Sequence, residues 1–196
     1  MDNFVYIIED IASQSVAIVD PGWDANFFQN TLKSNHWSLD KIILTHGHFD
    51  HVNALDEVLG LFPGTAVYIS EKEADALTPD VPNLLKTEDG DSISIGQSSV
   101  SILHTPGHSP GGQCLIIGSD IITGDTLFVD ACGRADLPGS DKAALFQSLK
   151  TLAELPEHYR IYPGHNYGFQ PTDTIESQKQ RNRYLRATQD EFLSIR

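Results

Sequence analysis

Short apolar runs separated by polar turns dominate the first two thirds of the chain. Phe4-Val5-Tyr6-Ile7-Ile8 and Val16-Ala17-Ile18-Val19 have the β-branched and aromatic content of strands. Asp20-Pro21-Gly22 ends the second run as a turn, and Asp24 then stands as the N-cap of a helix to about Asn35. Lys41-Ile42-Ile43-Leu44 reads as a buried strand running straight into a histidine-rich segment that ends at His51. A helix follows to about Leu61, Pro63-Gly64 stops it, and Ala66 to Ile69 is a further strand. Residues 78 to 92, with Pro79, Pro82 and Gly90, read as loop. Strands resume at Ser99 to His104, Gln113 to Ile117 and Asp120 to Thr123, with Gly118-Ser119 as a tight hairpin turn. Residues 129 to 141 form a polar loop. A helix is predicted from Lys142 to Glu154, a short strand from Tyr159 to Tyr162, and a last helix from Thr174 to Phe192.

A length of 196 residues predicts one domain, and 40% apolar with 20% charged residues is a globular composition. The net charge of −14 argues against nucleic acid and anionic membrane partners, which need cations at the contact. A small anionic substrate remains compatible, through a local basic pocket. Cys114 and Cys132 are too few for a disulfide framework. No run approaches the roughly 20 apolar residues of a membrane span. The acidic start Met1-Asp2-Asn3 does not read as a signal peptide, so the expected setting is the cytoplasm.

The chemistry is concentrated in histidines. Three of the eight fall in His46-Gly47-His48-Phe49-Asp50-His51, together with a carboxylate. Side chains two apart on an extended segment share a face, so His46 and His48 can address one ion. Asp50 and His51, one step on where the chain turns into a helix, can face a second. Imidazole and carboxylate donors suit Zn, Fe, Mn, Ni or Co. Thr105-Pro106-Gly107-His108, Gly124-Asp125 and Tyr162-Pro163-Gly164-His165 each add one donor after a strand. Any one of these alone reads more plainly as a surface or core residue. His36, His104 and His158 match no such pattern.

In this order, His46-X-His48-X-Asp50-His51, His108, Asp125 and His165 resemble the metallo-β-lactamase superfamily along nearly the whole chain. The resemblance implies an α/β fold, a four-layer αββα sandwich forming a single domain over residues 1–196, with metals held by loops at one end. It implies that His46, His48 and His108 bind a first divalent ion, that Asp50, His51 and His165 bind a second, and that Asp125 bridges them. Zinc is the expected metal, with iron or manganese as alternatives. Asp125 and Asp50 are the expected catalytic residues, and a metal-bound hydroxide is the nucleophile.

Two branches are similar to this chain. Asp2-Asn3-Phe4-Val5-Tyr6, Ile18-Val19-Asp20-Pro21 and Cys132-Gly133-Arg134 resemble glyoxalase II, the hydroxyacylglutathione hydrolases. That resemblance implies a glutathione-type thioester as the small-molecule substrate, contacted by Arg134 and Tyr167. Unlike that family, the chain shows no additional C-terminal helical domain, and Val52-Asn53-Ala54 stands where the family has a glycine pair. Cys132-Gly133-Arg134-Ala135-Asp136 and the stretch 161–169 are also similar to the persulfide dioxygenases. That branch implies a single Fe(II) on His46, His108 and Asp125, acting on glutathione persulfide. Lactone hydrolysis fits the same two-metal site. A closed structural metal site fits less well, because such sites favour cysteine ligands. The run Lys179, Arg181, Arg183 and Arg186 reads as a solvated helix face, with attraction of an anionic substrate as the sharper alternative. Cys132 reads as a small buried side chain.

Overall fold

The computed structural model describes residues 2–77 and 80–195. Two sheets lie face to face. The first runs in the order β1 (Tyr6–Asp10), β2 (Ser15–Val19), β3 (Ser38–Ile43), β4 (Ala66–Ser70), β5 (Leu84–Thr87). The second has the order β13 (Asp173–Thr174), β12 (Arg160–Pro163), β9 (Asp120–Gly124), β8 (Gln113–Ile117), β7 (Ser98–His104), β6 (Ser92–Ile95). A separate ribbon pairs β10 (Leu127–Phe128) with β11 (Ala131–Cys132). The helices are α1 (Ala25–Asn35), α2 (Phe49–Val52), α3 (Leu55–Leu61), α4 (Glu71–Ala74), α5 (Lys142–Ala153), α6 (Ile175–Arg181), α7 (Arg183–Arg186) and α8 (Gln189–Ser194).

Strand alternation builds the layers. In β2, Val16 and Ile18 join Phe28 and Leu32 of α1 in one core, while Ala17 and Val19 meet Ile93, Ile95, Val100 and Leu115 of the opposite sheet in another. A third core sets Ile121 and Ile161 of the second sheet against Leu145 and Leu149 of α5 and Phe192 of α8. Three cores between four layers are the expected αββα sandwich. Strands β2 to β5 are parallel, as are β9 and β12. Strands β7 and β9 each pair antiparallel with β8 and so share a direction. The C-terminal ends of β3, β7, β9 and β12 therefore deliver their loops to one end of the sandwich.

Several expected elements are corrected. The predicted loop 78–92 contains β5, which pairs in parallel with β4, and the start of β6. Ser92-Ile93-Ser94-Ile95 alternates at period two, and its isoleucines are buried between the sheets. Thr78 and Pro79 of that loop lie outside the described residues. Residues 129–141 are not loop throughout, because Ala131-Cys132 closes the small ribbon. The helix after His51 is two pieces, α2 and α3. The last helix is three, since Asn182 caps α7 through Tyr184 N–H at 3.0 Å and Thr188 forms a capping box with Glu191. Among the described residues no helix is long and apolar enough to cross a membrane.

Candidate metal centre

The predicted donors converge at the loop-bearing end. His46, His48 and His108 each offer a nitrogen within 4.8 Å of the others, and so do the donors of Asp50, His51 and His165. Asp125 lies between the two groups. Its Oδ2 is 3.5 Å from His108 Nε2 and 3.2 Å from His165 Nε2, and its Oδ1 is 3.4 Å from His51 Nε2. Close approach at this point requires Gly164, where a Cβ would fall 2.3 Å from Asp125 Oδ1.

The donor set fits metal ions on its own chemistry. His46 Nε2 and Asp125 Oδ1 are buried with no hydrogen-bond partner, which is costly unless something else binds there. Like donors also face each other, with His48 Nδ1 2.9 Å from His108 Nε2 and His51 Nε2 3.4 Å from His165 Nε2. Each facing pair can share a proton or, when metal is bound, present its lone pairs to a cation.

The electrostatics differ between the two groups. Burial pushes His46 well below the usual histidine range, reinforced by neighbouring His51, and burial likewise lowers His108. These rings are neutral, as ligands must be. Burial opposes charge on His51 too, but the Asp125 carboxylate 3.4 Å away and the contact with Asp20 at 3.0 Å prevail and raise it to about 10. Burial opposes ionisation of Asp125, yet His165 and His51 hold it well below the usual carboxylate range. Without metal, His51 carries a proton between two carboxylates.

Residues beyond the predicted set orient these donors. Asp20 accepts from the Thr45 N–H at 2.7 Å and the Thr45 hydroxyl at 2.6 Å, and its Oδ2 lies 3.0 Å from His51 Nδ1. It thereby turns His51 Nε2 towards the centre. Asn3 Nδ2 donates to Asp50 Oδ2 at 2.8 Å, fixing that carboxylate from the N-terminal segment. His108 Nδ1 lies 2.8 Å from the Arg134 carbonyl. Sequence reasoning placed Asp20 in a turn and missed this role. Its position at a strand end was a signal, but its partner lies 31 residues away.

The predicted substrate contacts lie at the rim. Tyr167 stacks on His165 with centroids 4.8 Å apart and remains 56% exposed. The Arg134 side chain makes a bidentate pair with Asp136 at 2.6 and 2.8 Å and is exposed. Phe49, between His48 and Asp50, is 72% exposed beside the centre, and the backbone N–H of exposed Trp23 donates to Asn53 Oδ1. The basic run is largely engaged: Lys179 pairs with Glu157, Arg181 with Asp130 and Asp173, and Arg183 lies over Tyr184. Cys132 is half-buried, and burial pushes its thiol up to about 12, which keeps it protonated. His36 caps α1 with φ 59°, while His158 packs against Tyr159.

With this centre at the strand ends of an αββα sandwich, the chain belongs to the metallo-beta-lactamase superfamily, whose family model matches residues 2–165. Relatives of the chain within it are named as probable zinc-dependent hydrolases and a probable metallo-hydrolase. The chain is 38% identical over 191 residues to the probable polyketide biosynthesis zinc-dependent hydrolase PksB of Bacillus subtilis (strain 168), covering 97% of this chain and 84% of that protein. Among solved structures, ETHE1 from Myxococcus xanthus superposes with a TM-score of 0.88 at 26% identity, over 100% of this chain and 88% of that one. TTHA1623 in a di-iron-bound form superposes with a TM-score of 0.79 at 31% identity, over 92% and 93% of the two chains.

Proposed function

We propose that this chain is a two-metal hydrolase that cleaves a small-molecule thioester, of hydroxyacylglutathione type or on another thiol carrier. The observation that carries this reading is the position of Asp125 between two ligand groups that are both intact. His46, His48 and His108 would hold one ion, Asp50, His51 and His165 the other, and Asp125 would touch both. When bound, the ions supply Lewis acidity that lowers the pKa of water from 15.7 towards about 7 and polarises the carbonyl.

The chain's own residues do the rest. Asp125 and Asp50 present carboxylate oxygens that accept a hydrogen bond from the attacking water and fix its direction. Asp20 and the Arg134 carbonyl hold His51 and His108 in the tautomers that point Nε2 inward. Tyr167, stacked on His165, and the exposed Arg134 would contact the substrate from the rim. A thiolate leaves readily, since its conjugate acid has a pKa near 8.5, so no general acid is needed. The polyketide assignment of the Bacillus relative supports testing carriers beyond glutathione.

The decisive experiment pairs two assays. Zinc-loaded protein is given acyl thioesters of glutathione and of N-acetylcysteamine, with lactones alongside. Iron-loaded protein of verified metal content is given glutathione persulfide in an oxygen electrode. Thioester cleavage without oxygen uptake is expected. Rapid oxygen uptake instead makes the chain a single-iron dioxygenase and overturns the two-metal reading. Cleavage of lactones alone overturns the thioester.

A further inference from the structure

Glu73 is a buried carboxylate that the proposed mechanism leaves unused. It sits in the one-turn α4 and is 6% exposed. Its Oε1 accepts from Gly111 N–H at 2.7 Å and its Oε2 from Gly47 N–H at 3.2 Å. Both oxygens accept from backbone N–H groups. Among the described residues, no basic side chain pairs with it. Gly47 lies between His46 and His48, and Gly111 lies three residues past His108. One side chain therefore ties together the two loops that carry the first ligand group. The glycines permit the approach: a Cβ at Gly111 would be 2.7 Å from Glu73 Cγ, and one at Gly47 would be 3.2 Å from Oε2.

A buried charge without a counter-charge is strongly unfavourable. The loops Glu73 holds bring His46, His48 and His108 within 4.8 Å of one another, so a divalent cation held there would supply positive charge on the same two loops. We propose that Glu73 is a positioning residue for the first metal site, which sets the spacing of the two ligand loops through their backbone amides and raises the site's affinity for a divalent cation. Coupling of this kind is reciprocal: a charge that favours the cation is favoured by it. The inference rests on the metal-binding reading of the centre and is independent of which substrate is cleaved.

The test is zinc affinity, read by competition with a chromophoric chelator and by metal counts per chain. In E73Q the shape is kept, but the amide nitrogen faces one of the two backbone N–H groups and cannot accept from it. In E73D the carboxylate is kept but is one methylene too short to reach both. Each variant is expected to hold one of two ions about 10- to 100-fold more weakly, with an unchanged circular dichroism spectrum. Saturating zinc should then restore kcat. Folded variants with wild-type affinity for both ions overturn the proposal, and so does failure of both to fold in excess zinc, which makes Glu73 a folding residue. If the wild type holds a single ion, the two-metal reading fails separately. A 10- to 100-fold loss for that ion in E73Q then still supports Glu73, and equal affinity still overturns it.

Discussion

Two buried aspartates lie at opposite ends of the sandwich and have opposite surroundings. Asp10, at the end of β1 where that strand pairs with the start of β2, is 4% exposed. Its Oδ2 accepts from the Ser13 N–H at 3.0 Å and the Ser13 hydroxyl at 2.5 Å, and its Oδ1 accepts from the Ser98 hydroxyl at 2.8 Å. Asp125, at the C-terminal end of β9, is 9% exposed, and its Oδ1 has no hydrogen-bond partner. Its neighbours are histidines at 3.2 to 3.5 Å. Neutral donors saturate the first carboxylate, which ties the β1–β2 turn to the other sheet. The second is left with capacity aimed at a space that other donors share. Burial alone does not mark a functional carboxylate, whereas unfilled coordination does.

The sharpest way to break this contrast is to remove Asp125. Asp125→Ala should lose zinc and activity together, with kcat/KM falling about a thousandfold or more. Metal counting and a thioester assay check it. Full zinc content with near-normal turnover would show that the carboxylate is as structural as Asp10.

A second prediction separates the two ligand groups. With its pKa raised to about 10, His51 keeps its proton in the metal-free centre throughout the neutral range. That proton stabilises the metal-free fold below the ordinary histidine pKa, and the contribution is lost as pH rises through 10. A cation at Asp50, His51 and His165 must displace it. Affinity there should weaken about tenfold per pH unit as pH falls from 9 to 7, with one proton released per ion bound. The site of His46 and His108, both pushed below the usual range, should lack that slope. Calorimetry in two buffers of different ionisation enthalpy reads the protons. Equal slopes for both ions would remove the distinction.

At the rim the expected effects shrink. Arg134 is exposed and already paired with Asp136, so its attraction for an anionic substrate is screened. Arg134→Ala should raise KM about two- to fivefold and leave kcat almost unchanged. An unchanged KM places Arg134 outside the substrate site.

What the sequence made legible follows the range of each interaction. Helix α1 was placed from its Asp24 cap, which is a local signal, and α5 begins at Lys142 as expected, with Asp141 found as its cap. The ligand loops were legible because each lies directly after a short apolar strand. Strand β5 was not legible, since its four residues gain strand character only from pairing with β4. Asp20, Asn3 and Glu73 were not, because each acts on a loop distant in sequence: His51, Asp50, and Gly47 with Gly111. The break of the last helix had a local signal, Thr188 with Glu191 three residues later, that the basic run obscured.

The smallest effect belongs to the structural aspartate. Hydrogen bonds from Ser13 and then Ser98 lower Asp10 to about 2 from an ordinary 3.8. A depressed folded-state pKa adds stability that is present above the ordinary value and lost as pH falls through the folded one. Asp10→Asn removes that contribution and leaves the packing. Against the wild type, both free of metal, the variant should be less stable at pH 7, with the gap nearly constant down to about pH 4 and closing towards pH 2. Taking the difference between the two proteins cancels the carboxylates they share. Urea denaturation at pH 7, 4 and 2.5 measures the gap. A gap independent of pH across that range would mean that the lost contacts matter through shape and not through charge, and Asp10 would then resemble a neutral hydrogen-bonding residue more than it resembles Asp125.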